Sequence, residues 1–166
     1  MEEIKLGLEF SREIESEVRA TRRCLEAISE KLYKYKPHEK SMEFGYLALL
    51  VADIPRWISD MILKSEIDLA SYKRFELSTT AALLKYFDDN ISEARRVLEH
   101  AGNDELAKLF ELKVAGKVVM SSTKKESVQQ AINHWVHHRG QLTVYMRLSD
   151  IPVPSIYGPS ADDKGF

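Results

Sequence analysis

The sequence predicts a single all-α domain built as a four-helix bundle, and three observations lead there. Four segments repeat apolar residues at steps of three and four, as amphipathic helices do. Proline, glycine or polar breaks separate them. The 166 residues, 44% hydrophobic and 30% charged, are enough to bury one core without dividing in two, so residues 1–166 are expected to form one domain. Long helices of this kind pack as a bundle.

The first segment sets Ile14, Val18, Leu25, Ile28 and Leu32 on one face, with Ser11 placed to cap it. The run YKYKPHEKS then breaks the pattern, because Pro37 opposes helix continuation and Ser41 can accept from the first amides of a second helix. That helix carries Phe44, Leu47, Ala48, Val51, Ile54, Ile58 and Met61, and Pro55 removes one of its internal hydrogen bonds, which predicts a kink. After a polar stretch from Lys64 to Leu77, Ser78 caps a third helix bearing Leu84, Phe87, Ile91, Ala94 and Leu98. It is expected to end by Gly102 in a left-handed C-cap. The piece LFELKVAGKVVMSST alone has strand character, since β-branched residues flank Ala115-Gly116 and allow a short hairpin before the last helix. From about Lys125 a fourth helix carries Val128, Ala131, Trp135, Leu142 and Tyr145, and Pro152 forbids its extension much beyond Ser149. The proline-rich tail IPVPSIYGPSADDKGF is irregular and either packs on the bundle or frays.

Charge and composition exclude several classes. With 24 basic and 26 acidic residues, net charge -2, the chain lacks the positive field that displaces counterions from phosphates, so nucleic acid is not an expected partner. The N-terminal MEEIKLGLEFSREIE is acidic where a signal peptide is basic, and no apolar run approaches the ~20 residues of a membrane span, which points to the cytoplasm and away from membranes. Cys24, the one cysteine, falls in an apolar helix pattern and reads as a buried hydrophobe. No glycine-rich phosphate loop, serine-centred elbow or paired Cys-x-x-Cys motif is present.

The informative segment is NHWVHHRGQLTVYMRL. His134 and His138 fall roughly 40° apart on one helix face at the edge of the apolar stripe, so both rings are expected to point inward. Two imidazoles at i and i+4 can converge on one cation but need a further ligand to hold it well. From spacing alone, the favoured reading is core or subunit-contact histidines satisfied by hydrogen bonds. His137 points about 100° away and stands outside that shell. Asp53 is the candidate third ligand from another helix, while His38 and His100 sit in a loop and near a helix end. Arg139 and Gln141 flank the pair and could orient ligands, Tyr145 belongs to the same stripe, and Tyr157 in the tail could cap a pocket.

HHRGQLTVYMRL followed by IPVPSIYGPSAD, within a match from Asn133 to about Asp162, resembles the C-terminal signature of the DinB/YfiT-like superfamily, and GYLALLVADIPRW, Gly45 to Trp57, resembles its second-helix motif. The resemblance implies an up-down-down-up four-helix bundle, usually a homodimer. It also implies a divalent metal, nickel or zinc, held by one histidine of the second helix and an H-x-x-x-H pair of the last. His134 and His138 match the pair, but Ala48, Ala52 and Pro55 set a register in which Leu50 stands where the third histidine is expected. In relatives that are enzymes, the metal is implied to bind a small thiol and stabilise its thiolate for attack on an electrophile. The expectation is therefore a cytoplasmic homodimer with a degenerate metal site, Leu50 facing the two imidazoles, and no tightly bound cofactor. The alternatives are an active metal-dependent thiol S-transferase-like enzyme that uses Asp53, or a catalytically silent protein that holds an apolar ligand or an assembly partner.

Overall fold

In the computed structural model, which describes residues 5–165, the chain runs α1 (Leu6–Glu26), α2 (Phe44–Leu63), β1 (Glu66–Asp68), α3 (Thr80–His100), a short α4 (Asn103–Leu106), β2 (Leu109–Val114), β3 (Lys117–Thr123) and α5 (Lys124–Leu148). The long helices form a ring in which α1 packs on α3 and α5, and α2 packs on α3 and α5. Helix α1 opposes α3 in direction, since Arg22 meets Asp88 at one end and Ser11 meets Glu99 at the other. Helix α2 opposes α5, with Trp57 against His134 and Phe44 against Tyr145. Helices α2 and α3 run the same way: Gly45 lies by Leu77, just ahead of α3, and Ile62 and Leu63 share a cleft with Val97 and His100 at the other end. The order is therefore up, down, down, up. Gly7 marks where α1 begins against the end of α3, because a Cβ there would lie 2.2 Å from the Leu98 carbonyl oxygen.

The core follows the apolar stripes, with small shifts. Ile14, Leu25 and Ile28 of the first segment are buried, whereas Val18 and Leu32 are half-buried. On α3 the buried residue of the first turn is Leu83 rather than Leu84, with Phe87, Ile91, Ala94, Val97 and Leu98 continuing the stripe. The expected caps need correction. Ser11 lies inside α1, buried against Glu99; α2 starts at Phe44 after Glu43; and Thr79, not Ser78, accepts from the Ala82 amide at 3.1 Å. Gly102 precedes α4 with φ -71 and is not a left-handed C-cap. Helix α5 starts at Lys124 through a full capping box, in which Thr123 accepts from the Glu126 amide and the Glu126 side chain accepts from the Thr123 amide. Pro55 lies buried within α2, which continues through it to Leu63.

The fold is mostly helical as expected, and the short hairpin before the last helix is present, but it belongs to a three-stranded sheet in the order β1-β2-β3, so the domain is not purely α. The hairpin β2–β3 is antiparallel and turns at Ala115 (φ 48) and Gly116 (φ 78), two left-handed residues that match the twist of the flanking strands. Strand β1 lies in what the sequence offers as polar loop, and pairs in parallel with β2, Glu66 opposite Glu111. Its Asp68 clamps the turn: the carboxylate accepts from the amides of Ala70 (2.9 Å), Ala115 (3.0 Å) and Gly116 (2.7 Å), and those bonds hold its pKa below the usual range.

The tail, as far as residue 165, packs on the bundle. Asp162 accepts from Arg147 (2.5 Å) and from the Val153 amide (2.8 Å); Asp163 accepts from Arg23 (2.6 Å) and from the Ser155 amide (3.0 Å). Backbone amides first, then Arg23, lower the Asp163 pKa to about 2. Among the described residues no helix is long and apolar enough to cross a membrane.

Candidate functional site

Helix α5 brings His134 and His138 together one turn apart, with their Nε2 atoms 2.6 Å from each other. His138 is 8% exposed, and its Nδ1 lies 2.7 Å from the Gln141 side-chain oxygen. That contact makes Nδ1 the protonated nitrogen of His138, so its Nε2 accepts and the Nε2–H of His134 donates. The pair is thus complete as two neutral rings, and Nδ1 of His134 keeps an unused lone pair among the described residues. His138 is buried, while His134 is exposed as a residue and lies at a rim, its ring against Trp57 of α2. Burial lowers the pKa of both rings. At His134 the neighbouring His138 and His137 add to the effect, and at His138 the Gln141 bond partly opposes it. His137, set aside by helix geometry, stands exposed and edge-on to His138 at 5.2 Å between centroids.

The α2 side chain in ring contact with this pair is Trp57, whose indole tilts at 38° against His134, 5.8 Å between centroids. Leu50 is half-buried; the antiparallel register of α2 and α5 sets it abreast of His138 to Gln141, where it lines a side cavity of about 120 Å³ with Asp53 and Trp57. Asp53 is buried and already engaged, accepting from the Trp57 indole N–H at 2.8 Å through one oxygen and from the Tyr86 hydroxyl through the other. Its role is to fix the indole that walls the histidines.

Three residues of the flanking set belong elsewhere. Arg139, 2% exposed, turns toward α1, where it pairs with Glu17 and donates to Thr21 Oγ1 (3.1 Å) and the Tyr157 hydroxyl (2.7 Å). Tyr157 therefore caps this ion pair and not a pocket by the histidines, its ring 73% exposed. Tyr145 is core: its ring meets Tyr35 edge-on and Phe44 at a tilt, and its hydroxyl donates to the Met42 carbonyl at 3.1 Å. Of the flanking set, only Gln141 touches the pair.

A metal shared by three donors does not fit these residues. Among the described residues no three His, Cys, Asp or Glu side chains are grouped to hold an ion.

Beside His134 opens a cavity of about 470 Å³ between α2, the sheet and α5. Trp57, Met61, Ile67, Phe110 and Leu112 give it apolar walls, while α5 presents Ser127, Gln130 and His134 along one face at steps of three and four. Sequence reasoning missed this cavity because its sheet wall depends on β1. The available signals were the Asp53/Trp57 spacing on α2 and the Ser127, Gln130, His134 spacing on α5.

The sequence pattern of the DinB family matches residues 1–164. The uncharacterized protein YrdA of Bacillus subtilis (strain 168) is 53% identical over 32 residues, a match spanning 19% of this chain and 19% of that protein. Among solved structures, the DinB-like protein YjoA of Bacillus subtilis superposes with TM-score 0.68 at 21% identity, over 87% of this chain and 96% of its own. A DinB-like protein of Bacillus cereus ATCC 10987 superposes with TM-score 0.69 at 20% identity, over 89% and 95%. These structures share the fold.

Proposed function

The chain belongs to the DinB family, and from that premise we propose that it is a metal-poor member that binds a small organic molecule beside His134 and His138. The observation that carries the reading is the pair itself. Its Nε2 atoms lie at hydrogen-bonding distance, 2.6 Å, and Gln141 fixes the tautomer, so the two rings satisfy each other as a neutral dyad at the rim of an apolar cavity. Leu50 offers no lone pair, and each Asp53 oxygen already accepts a hydrogen bond. Residues so arranged act as a hydrogen-bonding anchor for a ligand whose apolar part fills the cavity.

The test compares zinc and nickel binding by calorimetry in the parent protein and in Leu50→His. The parent is expected to bind either ion weakly; the variant, completing three imidazoles, is expected to bind at least about a hundredfold tighter, as a closed N-ligand set does. Stoichiometric metal in the purified parent by elemental analysis, lost in His138→Ala, overturns the reading in favour of an active metal-dependent S-transferase-like enzyme. Homodimerisation is part of the proposal and is checked by light scattering.

A further inference from the structure

Resting on the proposed ligand site, we infer that its ligand is an uncharged amphiphile: a flat or aliphatic apolar body bearing a hydroxyl that donates to His134. Charge is the first argument. The lining of the large cavity contains no Asp, Glu, Lys or Arg among the described residues. A carboxylate, phosphate or ammonium taken inside would lose its water without gaining a counter-charge, a cost that exceeds what the apolar body returns.

Polarity along one edge is the second. Of the three polar side chains that α5 turns to the cavity, Ser127 is buried and already bonded to Ser122 at 2.8 Å. The Gln130 amide and the His134 Nδ1 have no partner among the described residues, and both residues are exposed at the rim. The relay from Gln141 through His138 makes that Nδ1 an acceptor, so it selects a group with a proton to give. The facing wall is Met61, Ile67, Leu69, Phe110, Leu112 and Met120, with the Trp57 indole held in place by Asp53, and its one hydroxyl is that of Tyr72, buried and without a partner among the described residues. Two methionines give this wall thioethers that adapt to a ligand's outline, and the aromatic rings suit a flat body.

Three probes of one shape test the inference at neutral pH, where naphthol keeps its proton and naphthoic acid has lost it: 2-naphthol, naphthalene and 2-naphthoate, titrated by calorimetry. The expected order is 2-naphthol tighter than naphthalene by about fivefold, the factor for one net hydrogen bond, and 2-naphthoate weaker than naphthalene by at least about a hundredfold. His134→Leu is expected to erase the naphthol advantage while leaving naphthalene bound. Ala131→Leu, whose added carbons enter the cavity, is expected to weaken naphthol and naphthalene alike, with far-ultraviolet circular dichroism and a urea titration checking that it folds. If 2-naphthoate binds as well as 2-naphthol, or naphthalene matches 2-naphthol in the parent protein, the ligand class is wrong and the cavity reading stands. If the parent binds none of the three, the cavity reading falls with it.

Discussion

Replacing Arg139 by methionine keeps an unbranched apolar stem and removes the guanidinium charge from a site that is 2% exposed. The native guanidinium pairs with Glu17, itself 9% exposed, and donates to Thr21 Oγ1 and to the Tyr157 hydroxyl. In the variant the Glu17 carboxylate keeps one partner, the Tyr157 hydroxyl at 3.1 Å. A buried charge stranded this way costs about 3–5 kcal/mol, against a total stability of about 5–15 kcal/mol for a domain. At about 2–4 °C per kcal/mol for a chain of this size, Tm falls by about 6–20 °C. Urea and thermal unfolding followed by circular dichroism measure this directly. Adding Glu17→Leu removes the stranded charge, so the double variant is expected to recover most of the loss. Arg139→Met within about 1 kcal/mol of the parent, or a double variant less stable than the single one, would refute the argument. The dyad should be untouched throughout, since Arg139 turns away from it.

Asp53→Ala leaves the Trp57 indole N–H and the Tyr86 hydroxyl without their acceptor, which is expected to cost about 1–3 kcal/mol in a urea titration and to shift Trp57 fluorescence. Both dyad pKa values lie below the usual 6.5, so the unfolded chain binds more protons just under that pH; stability is full above 6.5 and falls with pH below it. Denaturant titrations across that window should lose this slope in His134→Gln/His138→Gln. Thr123→Ala breaks the capping box of α5 and should cost about 1 kcal/mol by the same assay. Burial lifts the Cys24 thiol to about 11, so alkylation is expected only at the rate of unfolding, and prompt labelling of the native protein would contradict it.

The bundle was legible because its signal is periodic. Ile14, Leu47, Phe87 and Leu142 recur at helical steps, and each is buried. Helix starts were read less well, because a serine in the right neighbourhood is no guide to where the backbone leaves the extended region: Thr79 caps where Ser78 was expected, and Ser11 is interior. Three residues of β1 with one buried side chain carry no periodicity, and their pairing partner lies beyond a whole helix. The H-x-x-x-H spacing brought His134 and His138 together as read, since helix geometry is local. The surroundings of Asp53, Arg139 and Tyr157 were not readable, since which neighbour a polar side chain meets is settled by packing between elements.

Strand β1 and its partner β2 are joined in parallel across a connection that contains all of α3. A hairpin can close by itself within microseconds, but such a crossover cannot, because two distant stretches must be brought side by side and the intervening chain confined before any bond rewards the effort. In refolding, helical signal should therefore appear ahead of ligand capacity, with the compartment next to His134 among the last parts of the molecule to come into being.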